Sequence, residues 1–150
     1  MIVDVGTPPL QSLTASRDAL IRVLLVEDDE AVVDMYRLQL SADGYVVLVA
    51  LDGEQGLETA LAETPDFIFL DLRLPKLSGF ELLARLRADA RTRDIPVIVL
   101  SNLSDPELSH RGSQLGVVEF MIKADTTPMQ LAQRIAEHER RRLNEAEATG

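Results

Sequence analysis

The pattern of the chain is set by Val23-Leu-Leu-Val-Glu-Asp-Asp29, a short apolar run that ends in acidic residues. The run is continuous rather than alternating, which is typical of a strand buried on both faces of a sheet. Four similar runs of four to six residues follow: Tyr45–Ala50, Phe67–Leu70, Val97–Leu100 and Val118–Ile122. Each of them is interpreted as a buried strand for the same reason.

Amphipathic segments separate these runs and predict helices at about residues 30–42, 53–63, 79–89, 105–115 and 128–145. Strict alternation of five strands with five helices predicts an α/β fold, a parallel sheet covered by helices on both faces. The first 20 residues contain Gly6, Pro8 and Pro9 without sustained periodicity, so we expect a flexible extension there. Residues 21–140 form the predicted domain, and residues 141–150 form a charged helix end or tail.

The composition excludes several classes of site. The 150 residues carry a formal net charge of −10 and include no cysteine, which excludes disulfides, thiolate metal sites and cysteine nucleophiles. The acidic balance argues against a nucleic-acid partner, because phosphate binding needs clustered lysine and arginine. No apolar stretch approaches the ~20 residues of a membrane span, and the N-terminus lacks the pattern of a signal peptide. We therefore expect a cytoplasmic protein with neither nucleic acid nor membrane as a partner.

Polar side chains stand at the ends of four predicted strands: Glu27 and Asp28, then Asp71, Ser101 and Lys123. Ligands of parallel α/β sheets bind at the carboxyl ends of the strands. If the first and third strands are neighbours, their carboxylates repel by roughly 4 kcal/mol per pair at 4 Å and an effective dielectric of 20. A cation relieves that repulsion, and oxygen ligands without histidine or cysteine suit Mg²⁺. Lys123 and Ser101 would then offer a positive charge and a hydroxyl to a phosphoryl group.

Each of these residues also has an ordinary structural explanation. An acidic residue after a strand is often a helix N-cap, which is our interpretation of Asp29. A serine in such a place is usually a turn residue, and a lysine there usually points into water. The functional interpretation depends on complementary groups at four strand ends together, because no single one of them is specific.

Four motifs, in order along the chain, resemble those of response-regulator receiver domains. They are Leu24-Leu-Val-Glu-Asp-Asp-Glu30, Phe69-Leu-Asp-Leu-Arg-Leu-Pro-Lys-Leu-Ser-Gly79, Ile95-Pro-Val-Ile-Val-Leu-Ser101 and Gly116-Val-Val-Glu-Phe-Met-Ile-Lys123. The resemblance covers about residues 21–140. It implies the flavodoxin-like, doubly wound fold of that family, with five β-α units and strand order 2-1-3-4-5. It also implies a signalling switch that catalyses only its own phosphorylation and dephosphorylation, not a classical enzyme.

The resemblance assigns a role to each strand-end residue. It implies a Mg²⁺ ion held by Glu27, Asp28, Asp71 and the backbone carbonyl of Arg73. Asp71 would accept the phosphoryl group, and Lys123 would pair with its oxygens. Ser101 would close on the phosphate, and Phe120 would change its rotamer as Ser101 moves. These roles agree with the chemistry, since phosphoryl transfer needs mainly positioning and charge neutralisation.

The partners implied by the resemblance are proteins. A histidine kinase or a phosphotransfer protein would supply the phosphoryl group. The downstream target would bind across the fourth helix, fifth strand and fifth helix, and a homodimer formed on phosphorylation stays open. No effector domain follows the predicted domain within these 150 residues, which favours output through protein contact.

The sequence departs from the family pattern after the lysine, and a glycine falls inside one predicted helix. Ala124 follows the lysine where receivers usually carry proline with a cis bond, and a cis bond before a non-proline residue costs ~2.5–4 kcal/mol. We predict either a trans bond with a rearranged loop or a retained cis bond, which puts the reach of Lys123 in doubt. Gly112 lies inside the fourth predicted helix, where glycine costs roughly 0.5–1 kcal/mol relative to alanine. Looseness of that helix would be one explanation of the glycine, and a position without functional meaning is the other.

Three other interpretations compete with a phosphorylated receiver. A haloacid-dehalogenase-type phosphatase also uses a strand-end aspartate and Mg²⁺, but it needs a second acid two residues on, where this chain has Arg73. A flavodoxin-like cofactor protein needs a phosphate-binding loop after the first strand, and the acidic loop here would repel phosphate. A pseudo-receiver, which binds partners without phosphorylation, is left open by the altered Lys123–Ala124 junction.

Overall fold

The computed structural model describes residues 20–102 and 106–149, so most of the expected N-terminal extension lies outside the described residues. Five strands are present: β1 Arg22–Val26, β2 Val46–Ala50, β3 Phe67–Asp71, β4 Val97–Ser101 and β5 Glu119–Ile122. Five helices alternate with them: α1 Glu30–Ala42, α2 Gly53–Glu63, α3 Gly79–Ala88, α4 Pro106–Gln114 and α5 Pro128–Thr149. The predicted elements are confirmed, except that α5 continues four residues beyond residue 145, where the last helix was expected to end.

The five strands form one parallel sheet in the order β2-β1-β3-β4-β5, which confirms the order implied by the resemblance. Every residue of β3 and β4 is buried, because helices cover both faces of these central strands. Their continuous apolar sequences follow from this arrangement, since neither face of either strand meets water.

Two apolar clusters hold the helices against the sheet, one on each face. The α1–α5 cluster joins β-strand side chains to Tyr36 and Leu40 of α1 and to Leu131 and Ile135 of α5. The α2–α3 cluster joins the opposite sheet face to the following helical residues: Ala60, Leu82, Leu83 and Leu86. Because residues of a strand alternate between the two faces, each strand contributes to both clusters and fixes the helices relative to each other.

Polar side chains close the N-termini of three helices. Asp29 accepts from the backbone N–H groups of Ala31 and Val32, which confirms it as the N-cap of α1. Asp52 caps α2 and Ser78 caps α3 in the same way. These caps end the loops that leave β1, β2 and β3, so each helix begins at a defined distance from the carboxyl edge of the sheet. Among the described residues, none of the helices combines the length and apolar character that a bilayer span requires.

Arg87 fastens the opposite, amino-terminal edge of the sheet. Its guanidinium donates to the carbonyls of Leu115 at 2.7 Å, Ile95 at 2.8 Å and Arg93 at 2.9 Å. A longer bond of 3.3 Å reaches the carbonyl of Gly116. One side chain from the end of α3 therefore ties together the loops that enter β4 and β5.

Arg87→Met is expected to lower the free energy of unfolding by about 3 kcal/mol, because several partly buried carbonyls lose a charged donor. Urea denaturation at neutral pH measures the loss. Arg85→Met on the same helix is the matched control and should cost under about 0.5 kcal/mol, since Arg85 is exposed and makes a 3.6 Å surface ion pair with Glu81. Equal losses of unfolding free energy in the two variants would contradict a stabilising role of the hydrogen bonds from Arg87 to the carbonyls. Arg87→Lys should not rescue stability, because one ammonium cannot reach carbonyls spread in a fork.

Candidate functional site

Three carboxylates meet at the carboxyl edge of the sheet. Glu27 and Asp28 follow β1, Asp71 ends the neighbouring β3, and the register pairs Val26 with Leu70 just before them. One oxygen from each of the three carboxylates lies within 4.8 Å of the others. Glu27 and Asp71 are buried, with 1% and 6% of their surface exposed, whereas Asp28 faces solvent. The predicted neighbouring of the first and third strands is what brings these side chains together.

Lys123 reaches this acidic cluster from the end of β5. Its Nζ donates to Asp71 Oδ2 at 2.9 Å and lies 2.6 Å from Glu27 Oε1. The second contact is a close ion pair that involves a buried carboxylate oxygen. Since β4 lies between β5 and β3, the lysine spans a full strand to make these contacts.

The charges of the site are unbalanced, because three carboxylates face one ammonium. Burial raises the pKa of the Glu27 carboxyl above its usual value, and the Lys123 ammonium only partly opposes this shift. Burial by itself would lower the pKa of Lys123, but its contacts with Glu27 and Asp71 outweigh burial and raise it. The site therefore holds its lysine charged and keeps an excess of negative charge.

The donor set fits a hard divalent cation. All three acidic side chains offer oxygen, and none offers nitrogen or sulfur. Such a set suits Mg²⁺ better than a soft transition metal. The acidic cluster is therefore a candidate magnesium site with both the charge and the ligand type that the ion requires.

The loop after β3 is fixed against the acidic cluster by local contacts. The Arg73 N–H donates to Asp71 Oδ1 at 3.0 Å, so both oxygens of the predicted phosphoacceptor have partners. Gly79 begins α3 and donates its N–H to the carbonyl of Leu72 at 3.0 Å. A methyl group on Gly79 would lie 2.5 Å from the Leu72 Cα, so only glycine permits this approach. The role of the Arg73 carbonyl as a metal ligand stays a prediction.

Ser101 and Phe120 lie on the same face of the sheet. Ser101 ends β4 and follows Val97 and Val99, which belong to the α2–α3 cluster. Phe120 pairs with Val99 across the β4–β5 register and packs against that cluster too. Ser101 is buried, with 3% of its surface exposed. A linked movement of the two side chains stays a prediction.

The Lys123–Ala124 peptide bond is trans, as are all peptide bonds of the described residues. Of the two predicted arrangements, the structure contains the rearranged loop, a 3-10 turn over Lys123–Asp125. The Thr126 hydroxyl donates to the carbonyl of Ile122 at 2.7 Å, and its N–H donates to the carbonyl of Lys123 at 3.2 Å. Thr126 closes the turn and Lys123 still reaches the acids. Sequence reasoning missed this threonine, for which the only signal was a hydroxyl residue three positions after the lysine.

Comparison with known proteins agrees with this geometry. The family model described as "Response regulator receiver domain" matches residues 23–136. The DNA-binding dual master transcriptional regulator RpaA of Synechocystis sp. is 40% identical over 102 residues, covering 68% of this chain and 42% of that protein. The alkaline phosphatase synthesis transcriptional regulatory protein PhoP of Bacillus subtilis is 35% identical over 102 residues, which again cover 68% of this chain and 42% of that protein. The chain thus spans less than half the length of these two relatives.

Solved structures show the same architecture. A CheY-like receiver domain protein of Methanospirillum hungatei superposes with a TM-score of 0.75 at 27% identity, covering 87% of this chain and 99% of that one. The Vibrio cholerae chemotaxis protein CheY4 superposes with a TM-score of 0.73 at 26% identity, covering 79% and 98%. With the family model, these similarities confirm the resemblance drawn from the four motifs. The chain belongs to the response regulator receiver domain family, whose members are signalling switches of two-component systems.

Proposed function

We propose that this chain is a phosphoacceptor switch in which Asp71 takes a phosphoryl group from a histidine kinase or a phosphotransfer protein. The observation that carries the proposal is the buried Asp71 carboxylate, held by Lys123 Nζ at 2.9 Å and surrounded by two further acids at the sheet edge. A carboxylate so placed is oriented for nucleophilic attack. Its acidic neighbours supply ligands for Mg²⁺, together with the carbonyl of Arg73.

The transfer needs little covalent chemistry from the protein. An oxygen of Asp71 forms a bond to phosphorus as the bond from phosphorus to the donor nitrogen breaks, and the donor keeps that electron pair. Lys123 neutralises the charge that develops on the phosphoryl oxygens, and the Ser101 hydroxyl donates to one of them. When bound, Mg²⁺ would supply further neutralisation of phosphoryl and carboxylate oxygens.

The output is a change of the α4–β5–α5 surface that a downstream protein recognises. Ser101 and Phe120 share one face of the sheet, which supports a linked movement of the two side chains. Exposed apolar residues border this surface, namely Val118 with 41% and Met129 with 58% of the side chain accessible. Contact between two phosphorylated copies is the alternative output. The expectation of no nucleic-acid partner is unsupported, because the relative RpaA, of which the chain covers 42%, is a DNA-binding regulator.

The phosphodonor protein is proposed to dock on α1 beside the site. Met35 and Leu38 lie one helical turn apart and are 47% and 75% exposed, unusual for large apolar side chains. Met35 also lines a cleft with Lys123 and Ala124. A donor helix resting on these side chains would bring its phosphohistidine to the acidic cluster.

Asp71→Asn is expected to abolish phosphorylation, because the amide is not a nucleophile. Intact mass after incubation with acetyl phosphate and Mg²⁺ should show one added phosphoryl group on the wild type and none on the variant. Asp34→Asn, an exposed carboxylate on α1, is the control and should be phosphorylated normally. If the wild type gains no phosphoryl group and also fails to bind beryllofluoride with Mg²⁺, the chain is a pseudo-receiver and the proposal fails.

Glu27→Gln is expected to stabilise the metal-free protein by roughly 1 kcal/mol, a fraction of the ~4 kcal/mol that two like charges cost at 4 Å. The wild type should gain about 1.4 kcal/mol from Mg²⁺ at ten times its dissociation constant, and the variant should gain much less. Thermal unfolding with and without Mg²⁺ measures both effects. Glu30→Gln, an exposed acid in the first turn of α1, should keep the full metal response. A metal response that persists in Glu27→Gln would remove Glu27 from the proposed ligands.

Leu38→Glu is expected to slow transfer from a phosphorylated histidine kinase roughly tenfold, because a charge replaces an apolar contact in the docking surface. Transfer from acetyl phosphate should be unchanged, since the small donor does not need that surface. The initial rate of phosphotransfer, followed with a kinase shown to phosphorylate the wild type, measures the difference. Leu143→Glu, at an exposed leucine towards the far end of α5, serves as the control. Similar slowing by both substitutions would argue against a donor surface on α1.

A further inference from the structure

Gly112 lies in the last turn of α4 directly against the ring of Phe120. A methyl group at this glycine would lie 2.2 Å from Phe120 Cζ, 2.3 Å from Phe120 Cε1 and 3.3 Å from Val117 Cγ2. The first two distances are far inside van der Waals contact. No residue larger than glycine fits position 112 while the Phe120 ring keeps its place under α4.

The backbone of Gly112 is held and cannot easily retreat from the ring. Its carbonyl accepts from the N–H groups of Leu115 and Val117, both at 3.0 Å. The preceding Arg111 guanidinium lies 4.1 Å from the ring centroid of Phe80 on α3, a cation–π contact that ties α4 to its neighbour. The ring atoms that would clash are the far end of a rotatable side chain. A larger residue at 112 would therefore displace Phe120 before it displaces the helix.

This packing explains why a glycine occupies a helix interior, where alanine is intrinsically preferred. The ring, not looseness of α4, accounts for the residue type in the described structure. Whether α4 is also loosely held stays a prediction.

We propose that Gly112 is a positioning residue for the switch, because its lack of a side chain lets the Phe120 ring lie under α4. This inference rests on the proposed function of Asp71. Ser101 and Phe120 share one sheet face, so movement of Ser101 towards a phosphoryl group frees volume beside the ring. Placement of the ring under α4 then stabilises the bound phosphoryl group, and the bound phosphoryl group stabilises that placement of the ring. By linkage, a residue at 112 that expels the ring weakens binding at Asp71.

The first test is the affinity of the full chain for beryllofluoride with Mg²⁺, which mimics the phosphoryl group on Asp71. Gly112→Ala is expected to weaken this affinity about tenfold, within the usual range of coupling between sites. Aromatic resonances of Phe120, one of only four phenylalanines, should shift in the free variant as the ring leaves α4. Ser113→Ala, an exposed neighbour in the same turn, should change neither quantity.

The decisive comparison repeats Gly112→Ala in a Phe120→Leu variant, because leucine lacks Cζ and Cε1 but is still apolar. In that background, Gly112→Ala should leave beryllofluoride affinity within twofold and raise the thermal midpoint, since only the helix preference for alanine is left. In the presence of Phe120, the same substitution should not raise the midpoint. A general disturbance of α4 would instead act alike in both backgrounds.

The outcomes separate this inference from the proposed function. If the wild type binds beryllofluoride and Gly112→Ala binds equally well with unchanged Phe120 resonances, the positioning role is wrong and the proposed function stands. If the wild type neither binds beryllofluoride nor gains a phosphoryl group from acetyl phosphate, the proposed function fails. The shift of Phe120 and the two thermal midpoints then still show whether the glycine positions the ring, but its link to phosphorylation is overturned.

Discussion

The burial of the central strands on both faces is the constraint from which the rest of the structure follows. A strand that meets helices above and below has no place for a charged side chain along its length. Charged and polar groups are therefore displaced to the strand ends, and parallel strands bring all carboxyl ends to one edge. Glu27, Asp71, Ser101 and Lys123 lie together at that edge because it is the first position after each apolar run where a polar side chain can stand.

The carboxylates at the carboxyl edge of the sheet lower the stability of the fold but place three oxygen ligands close together. Two buried carboxylates and one exposed carboxylate share a single ammonium, and burial holds the pKa of Glu27 above its usual value. Such an arrangement is costly to the folded chain without a cation. The same three carboxylates could hold a divalent ion. The opposite edge carries no comparable charge cluster among the described residues, and there Arg87 stabilises the loops by binding carbonyls.

Two unusual positions of the sequence are compensated by contacts in this chain. The trans bond at Ala124 does not carry Lys123 away from the acids, because Thr126 closes a 3-10 turn directly after it. A helical glycine at 112 likewise does not leave a void, because the Phe120 ring fills the space. Thr126 lies outside the four recognised motifs. Phe120 lies outside α4, the helix that contains Gly112.

The amino-acid sequence by itself determined most of the architecture through its local hydrophobic pattern. Apolar runs and amphipathic segments place the ten elements to within a few residues, since burial dictates composition and period along the chain. Strand-end chemistry and four motifs identify Asp71, its acidic neighbours and Lys123, whereas the strand order came from the resemblance. Only the tertiary structure decided the turn closed by Thr126, the carbonyls bound by Arg87 and the ring packed on Gly112. These features depend on which backbone or ring atoms come into contact in the folded chain. Residue type and periodicity do not specify these contacts, because the atoms belong to different elements of the fold.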